Sequence, residues 1–139
     1  MTKKNFLLLV DDNDKYAKII IELFADKYEI HRAKNGKEAI EFLEKNGVNF
    51  YSLIITDITM ESQLAGLNFL KRARKKGYHG KIIIASTGFN YSIALNLAPL
   101  FLNSLKVDYL IPKDSLLKKE LLLYPCRFFP KVESQSPIL

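Results

Sequence analysis

Leu7-Leu8-Leu9-Val10-Asp11-Asp12, Leu53-Ile54-Ile55-Thr56-Asp57 and Ile82-Ile83-Ile84-Ala85-Ser86 are the three stretches that decide the fold. Each is a continuous apolar run of strand length. A strand with one wet face alternates polar and apolar residues, whereas a strand covered by helices on both faces is apolar throughout. Two of the runs end directly in aspartate. The pattern therefore predicts buried parallel strands with acidic residues at their carboxyl ends.

Working outward, strands are expected over Phe6 to Val10, Glu29 to Ala33, Leu53 to Thr56, Ile82 to Ser86 and Val107 to Ile111. Between them, stretches of helical period cover Lys15 to Lys27, Lys37 to Lys45, Leu67 to Lys76 and Tyr91 to Leu105, and Ser115 to Tyr124 follows the last strand. This βα alternation predicts an α/β fold with a doubly wound parallel sheet. The punctuation agrees: Asp14 is positioned to cap the first helix, and Asn35-Gly36 opens the second. Gly47 and Gly77 stand just past two helix ends, and Asp114 or Ser115 can cap the last helix.

At 139 residues and 48% apolar content the chain suits one compact domain. We place that domain at residues 1–124, with 125–139 as a tail in which no output domain is recognisable. Cys126 is the only cysteine, so an internal disulfide is excluded. The apolar run after the basic N-terminus is too short for a signal peptide or a membrane span, which makes the cytoplasm the expected compartment. Net charge is +6, but the densest run, Lys71-Arg72-Ala73-Arg74-Lys75-Lys76, closes a predicted helix where cations face the negative end of the helix dipole. A solvated helix face explains it better than a nucleic-acid patch.

The chemistry is expected where the acidic residues converge. In a doubly wound sheet the first and third strands are neighbours, and ligands bind outside the carboxyl ends of the strands. Asp11, Asp12 and Asp57 then share one crevice, where their mutual repulsion favours a cation. Oxygen-only ligands partly open to water suit Mg²⁺. The plainer alternative is that Asp11, Asp12 and Asp14 only cap a helix while Asp57 ends a strand in a turn. Lys113, after Tyr109-Leu110-Ile111-Pro112, puts a cation at the same edge, and Ser86-Thr87-Gly88 puts hydroxyl donors there.

Taken together, Leu7 to Asp12, Ile54 to Met60, Gly66-Leu67, Thr87-Gly88 and Lys113 resemble the receiver domains of two-component response regulators, over roughly residues 5 to 123. The resemblance implies a flavodoxin-like five-stranded sheet of order 2-1-3-4-5 with five helices. It makes Asp57 the phosphoacceptor, attacking a phosphohistidine. Mg²⁺ would be held by Asp12, Asp57 and the Thr59 backbone carbonyl, with Asp11 acting largely through water. Thr87 or Ser86 would be the switch hydroxyl, Lys113 the phosphoryl-pairing cation and Tyr109 the switch aromatic. The implied partners are a sensor histidine kinase or histidine phosphotransfer protein and a downstream protein target, with no membrane and no direct nucleic-acid partner. The domain would catalyse only its own phosphorylation and dephosphorylation.

The chain departs from the family pattern at three places. Met60 is followed by Glu61 rather than proline, and Glu61 to Gly66 makes a slightly long loop. Proline precedes Lys113, Asp114 follows it, and Tyr109 lies four residues before it where three is usual. A cis bond before a non-proline residue costs about 2.5–4 kcal/mol, so a trans or remodelled turn is expected after Lys113. The predicted fourth helix is unusually apolar and contains Pro99, and the fifth carries Leu116, Leu117, Leu121, Leu122 and Leu123. A shared apolar face there would be a partner or homodimer surface. The alternative function is a degenerate receiver serving as an interaction module without phosphorylation.

Overall fold

Strand β1 (Asn5–Val10) lies between β2 (Tyr28–Ala33) and β3 (Tyr51–Thr56), parallel to both, in a computed structural model that describes residues 3–58, 60, 65–86, 105–125 and 133–134. Beyond β3 come β4 (Lys81–Ser86) and β5 (Tyr109–Pro112), also parallel. The order β2-β1-β3-β4-β5 is the doubly wound arrangement expected from the apolar runs, and Leu7 to Val10, Leu53 to Ile55 and Ile82 to Ile84 are buried.

Helices α1 (Asp14–Phe24), α2 (Gly36–Asn46) and α3 (Ala65–Lys75) cover the sheet. One core layer joins Ile40 and Leu43 of α2 and Phe69, Leu70 and Ala73 of α3 to Leu8, Ile54, Ile82 and Ile84. The other packs Ala17, Ile20 and Phe24 of α1 on Leu7, Leu9, Leu53, Ile55 and Ile83. Successive strand residues thus serve opposite layers, which is why the runs contain no polar positions. Among the described residues no helix is long and apolar enough to cross a membrane.

The caps refine the sequence reading. Asn13, not Asp14, caps α1, accepting the Tyr16 amide at 3.1 Å, while Asp14 is the first helical residue. Asn35 caps α2 as expected, and Gly47 and Gly77 take φ of +106° past the ends of α2 and α3. Neither Asp114 nor Ser115 caps the segment after β5: the N-cap residue is Pro112, and the Ser115 hydroxyl donates to its carbonyl at 2.8 Å.

The helix expected over Ser115 to Tyr124 is replaced by two elements. A single helical turn, Lys113–Leu116, is followed by β6 (Leu122–Pro125), antiparallel to β5 with Tyr109 opposite Pro125 and Leu110 opposite Tyr124. Strand β7 (Glu133–Ser134) extends the sheet antiparallel to β6. A leucine-rich segment can serve either element, and the unpaired N–H and C=O groups on the outer edge of β5 supply the strand with partners. Lys119, at φ +58°, breaks the helical path between the two. The helix expected over Tyr91 to Leu105 lies, except for Leu105, outside the described residues, as does Cys126.

Candidate acidic site at the carboxyl edge of the sheet

The register of the sheet builds the site. Val10 is opposite Ala33 in β2 and Thr56 in β3, so the residue after each strand falls at the same level. The Asp57 amide donates to the Val10 carbonyl at 2.9 Å and the Asp11 amide to the Ala33 carbonyl at 3.0 Å, carrying the parallel ladder one residue beyond the strands. Two carboxylates far apart in sequence are thereby placed side by side. Asp11, Asp12 and Asp57 each offer a carboxylate oxygen within 4.8 Å of the others. Asp11 and Asp57 are buried, and Asp12 is exposed.

Lys113 enters this cluster from the end of β5. Its Nζ lies 2.6 Å from Asp11 Oδ2 and 2.9 Å from Asp57 Oδ2, and the residue is only 1% exposed. No cis peptide occurs among the described residues, so the Lys113–Asp114 bond is trans, and the lysine reaches both carboxylates all the same. The pocket holds three carboxylates against one ammonium. Burial pushes the Asp11 carboxyl above the usual carboxylate range, opposed by its close ion pair with the Lys113 ammonium. The second Asp11 oxygen accepts the Asn13 amide at 2.9 Å, tying the site to the start of α1.

Further residues shape the site, and of these Arg32 and Tyr16 had not stood out in the sequence. Arg32, next to last in β2, donates to the Asp11 backbone carbonyl through Nε at 3.1 Å and Nη2 at 2.9 Å, and its Nη1 pairs with Asp14 at 2.7 Å. The Arg32 guanidinium holds the exposed Asp14 carboxyl below its ordinary range, with the Lys34 charge assisting. The Thr56 hydroxyl donates to the Asp57 carbonyl at 2.9 Å. Gly66 presses against that same carbonyl: a Cβ there would lie 1.7 Å from the Asp57 oxygen. Its amide donates to the Ile58 carbonyl at 2.8 Å. The Tyr16 ring lies beside the Lys113 ammonium, its centroid 4.8 Å from Nζ. Alternation and motif spacing carry no signal for Arg32 or Tyr16, because each acts through tertiary contact.

Of the other predicted site residues, Ser86 ends β4 opposite Pro112, one residue before Lys113. Thr59 and Thr87 lie outside the described residues. Tyr109 starts β5, half-buried against the core layer that contains Ile111 and Leu123, on the strand that ends one residue before Lys113.

The architecture is shared with solved structures. The signal receiver domain of a Vibrio parahaemolyticus protein described as a LuxO repressor is 23% identical, with a TM-score of 0.63 over 84% of this chain and 87% of its own. The chemotaxis response regulator CheY4 of Vibrio cholerae is 20% identical, with a TM-score of 0.62 over 84% and 96%. A response regulator receiver domain protein from Clostridium thermocellum is 22% identical, with a TM-score of 0.58 over 70% and 76%. At these identities the likeness is one of fold. No curated protein sequence matches the chain. The response regulator receiver domain family model, however, matches residues 7–98, a span that begins in β1 and carries all three clustered aspartates, and the chain therefore belongs to the response regulator receiver domain family.

Proposed function

We propose that this chain accepts a phosphoryl group on Asp57 from a histidine kinase or histidine phosphotransfer protein, with Mg²⁺ present, and signals by changing the surface it offers to a downstream protein. The observation that carries the proposal is the bridge of one buried ammonium between Asp11 and Asp57 inside a three-carboxylate cluster. Such a cluster needs a further cation, and its donors fit Mg²⁺: oxygen ligands only, with exposed Asp12 leaving access for retained waters. Asp12, Asp57 and the Thr59 carbonyl are the proposed ligands, with Asp11 acting through water. When bound, Mg²⁺ supplies positive charge that neutralises the carboxylates and the phosphoryl oxygens.

The residues of the chain do the rest. An Asp57 carboxylate oxygen attacks phosphorus, an O–P bond forms, and the N–P bond of a phosphohistidine protonated on its other ring nitrogen breaks as neutral imidazole leaves. Lys113 pairs with Asp57 before transfer and with a phosphoryl oxygen after it. Positioning and charge neutralisation are most of what such a transfer requires. The strand-end hydroxyl, Thr87 or Ser86, then donates to the phosphoryl group, and Tyr109 responds on β5. Nearly two added negative charges bias this two-state arrangement.

Intact-mass measurement after treatment of the whole chain with phosphoramidate and Mg²⁺ tests the proposal. A gain of one phosphoryl group, lost in Asp57→Asn, is expected. No gain overturns it and leaves the interaction-module reading, and a gain that persists in Asp57→Asn overturns Asp57 as the acceptor.

A further inference from the structure

The Lys113 ammonium is held by more than its two carboxylates. It has three N–H donors. Asp11 Oδ2 and Asp57 Oδ2 stand at 2.6 and 2.9 Å, and the Tyr16 ring is a third neighbour at 4.8 Å. At 1% exposure for Lys113, that side of the ammonium is faced by aromatic carbon. A ring face is the negative pole of the aromatic quadrupole, and its attraction for a cation is largest where water is excluded.

The backbone of Tyr16 is itself held in place. Asn13 caps α1 by accepting the Tyr16 amide at 3.1 Å, and the Asn13 amide donates to Asp11 Oδ1 at 2.9 Å. Asp11, the cap and the Tyr16 backbone form one connected unit at the start of α1, which packs against the helical turn beginning at Lys113. We infer that Tyr16 is a positioning residue for Lys113: its ring face keeps the ammonium between Asp11 and Asp57, and so sets how readily the lysine moves from carboxylate to phosphoryl oxygen. This rests on the phosphoacceptor reading for its kinetic consequence but not for its geometric one.

Two readouts on the chain of 139 residues separate these. The first is acetylation of Lys113 by an amine-reactive ester, followed by peptide mass spectrometry, which needs no phosphorylation. Tyr16→Phe keeps the ring and should match the native rate. Tyr16→Leu should raise Lys113 labelling about fivefold to thirtyfold, the range expected for losing a desolvated cation–π contact. The second is the rate of phosphoryl gain from phosphoramidate, which should fall in Tyr16→Leu and not in Tyr16→Phe. Phenylalanines with progressively fluorinated rings at position 16 keep the shape while weakening the quadrupole, so Lys113 labelling should rise step by step with fluorination. Labelling that is equal in the native chain and Tyr16→Leu, or flat across the fluorinated series, overturns the inference. Graded labelling without any phosphoryl gain in the native chain upholds the geometric inference and instead refutes the phosphoacceptor reading.

Discussion

Gly66→Ala is the sharpest test of how the Asp57 loop is held. A Cβ at position 66 would lie 1.7 Å from the Asp57 carbonyl oxygen, 2.7 Å from its carbon and 2.8 Å from Ile58 Cα. All three are backbone atoms, so no side-chain rotation relieves the clash. Either α3 withdraws or the strand-to-loop junction after Asp57 shifts, and both loosen the Gly66 to Ile58 hydrogen bond. Overpacking costs about 1–3 kcal/mol, a lost buried hydrogen bond about 1 kcal/mol more, and the higher helix propensity of alanine returns about 1 kcal/mol. A net loss of about 1–3 kcal/mol is expected, a sizeable share of the roughly 5–15 kcal/mol that holds a domain folded. Urea unfolding monitored by circular dichroism measures it, with Gly47→Ala as the comparison, since a Cβ there meets nothing within 4 Å and only the +106° φ resists it. Phosphoryl gain should fall further in Gly66→Ala than in Gly47→Ala, because only the former displaces Asp57. Gly66→Ala with native stability and native phosphoryl gain would refute the reasoning.

Other consequences follow from the same structure. Burial pushes the Tyr78 phenol far above its ordinary value, and its hydroxyl donates to the Lys81 carbonyl at 3.0 Å. The folded chain therefore keeps this proton while an unfolded phenol, with a pKa near 10, loses it. The stabilisation is full below about pH 10 and is lost as pH rises from there through the folded value. Urea midpoints measured on either side of pH 10 should decline less steeply in Tyr78→Phe than in the native chain. Arg74 donates to the carbonyls of Tyr78, Gly80, Leu105 and Lys106, joining the end of α3 to the segment before β5. Lysine cannot reproduce that fork, so Arg74→Lys should cost about 2–3 kcal/mol in chemical denaturation, and a cost below about 0.5 kcal/mol would contradict the assigned role. Adding Mg²⁺ should raise the melting temperature of the native chain in proportion to ln(1 + [Mg²⁺]/Kd), and Asp12→Asn should flatten that response. An undiminished shift in Asp12→Asn would remove Asp12 from the proposed ligand set.

Much of the frame was legible in the sequence because it depends on local periodicity. Runs such as Leu7 to Val10 and Ile82 to Ile84 have no polar position to give to water, so they could only be strands covered on both faces. Asp11 and Asp57 were readable as partners because each follows a strand directly, and adjacency of the first and third strands brings their ends together. Helix ends at Gly47 and Gly77 were readable for a similar local reason.

The segment after Lys113 shows where local reading stops. Leu116 to Tyr124 carries residues compatible with either a helix or a strand, and the open edge of β5 decided for β6. The site divides along the same line. Sequence alone determined that two strands would deliver Asp11 and Asp57 to one crevice, since strand length and sheet order fix where their carboxyl ends lie. Only the tertiary structure decided that Lys113 bridges them across a trans peptide, that Gly66 must press on the Asp57 carbonyl, and that Tyr16 backs the ammonium. Those contacts join separate elements at distances of a few ångströms, and the pattern along any one element does not encode the distance to another.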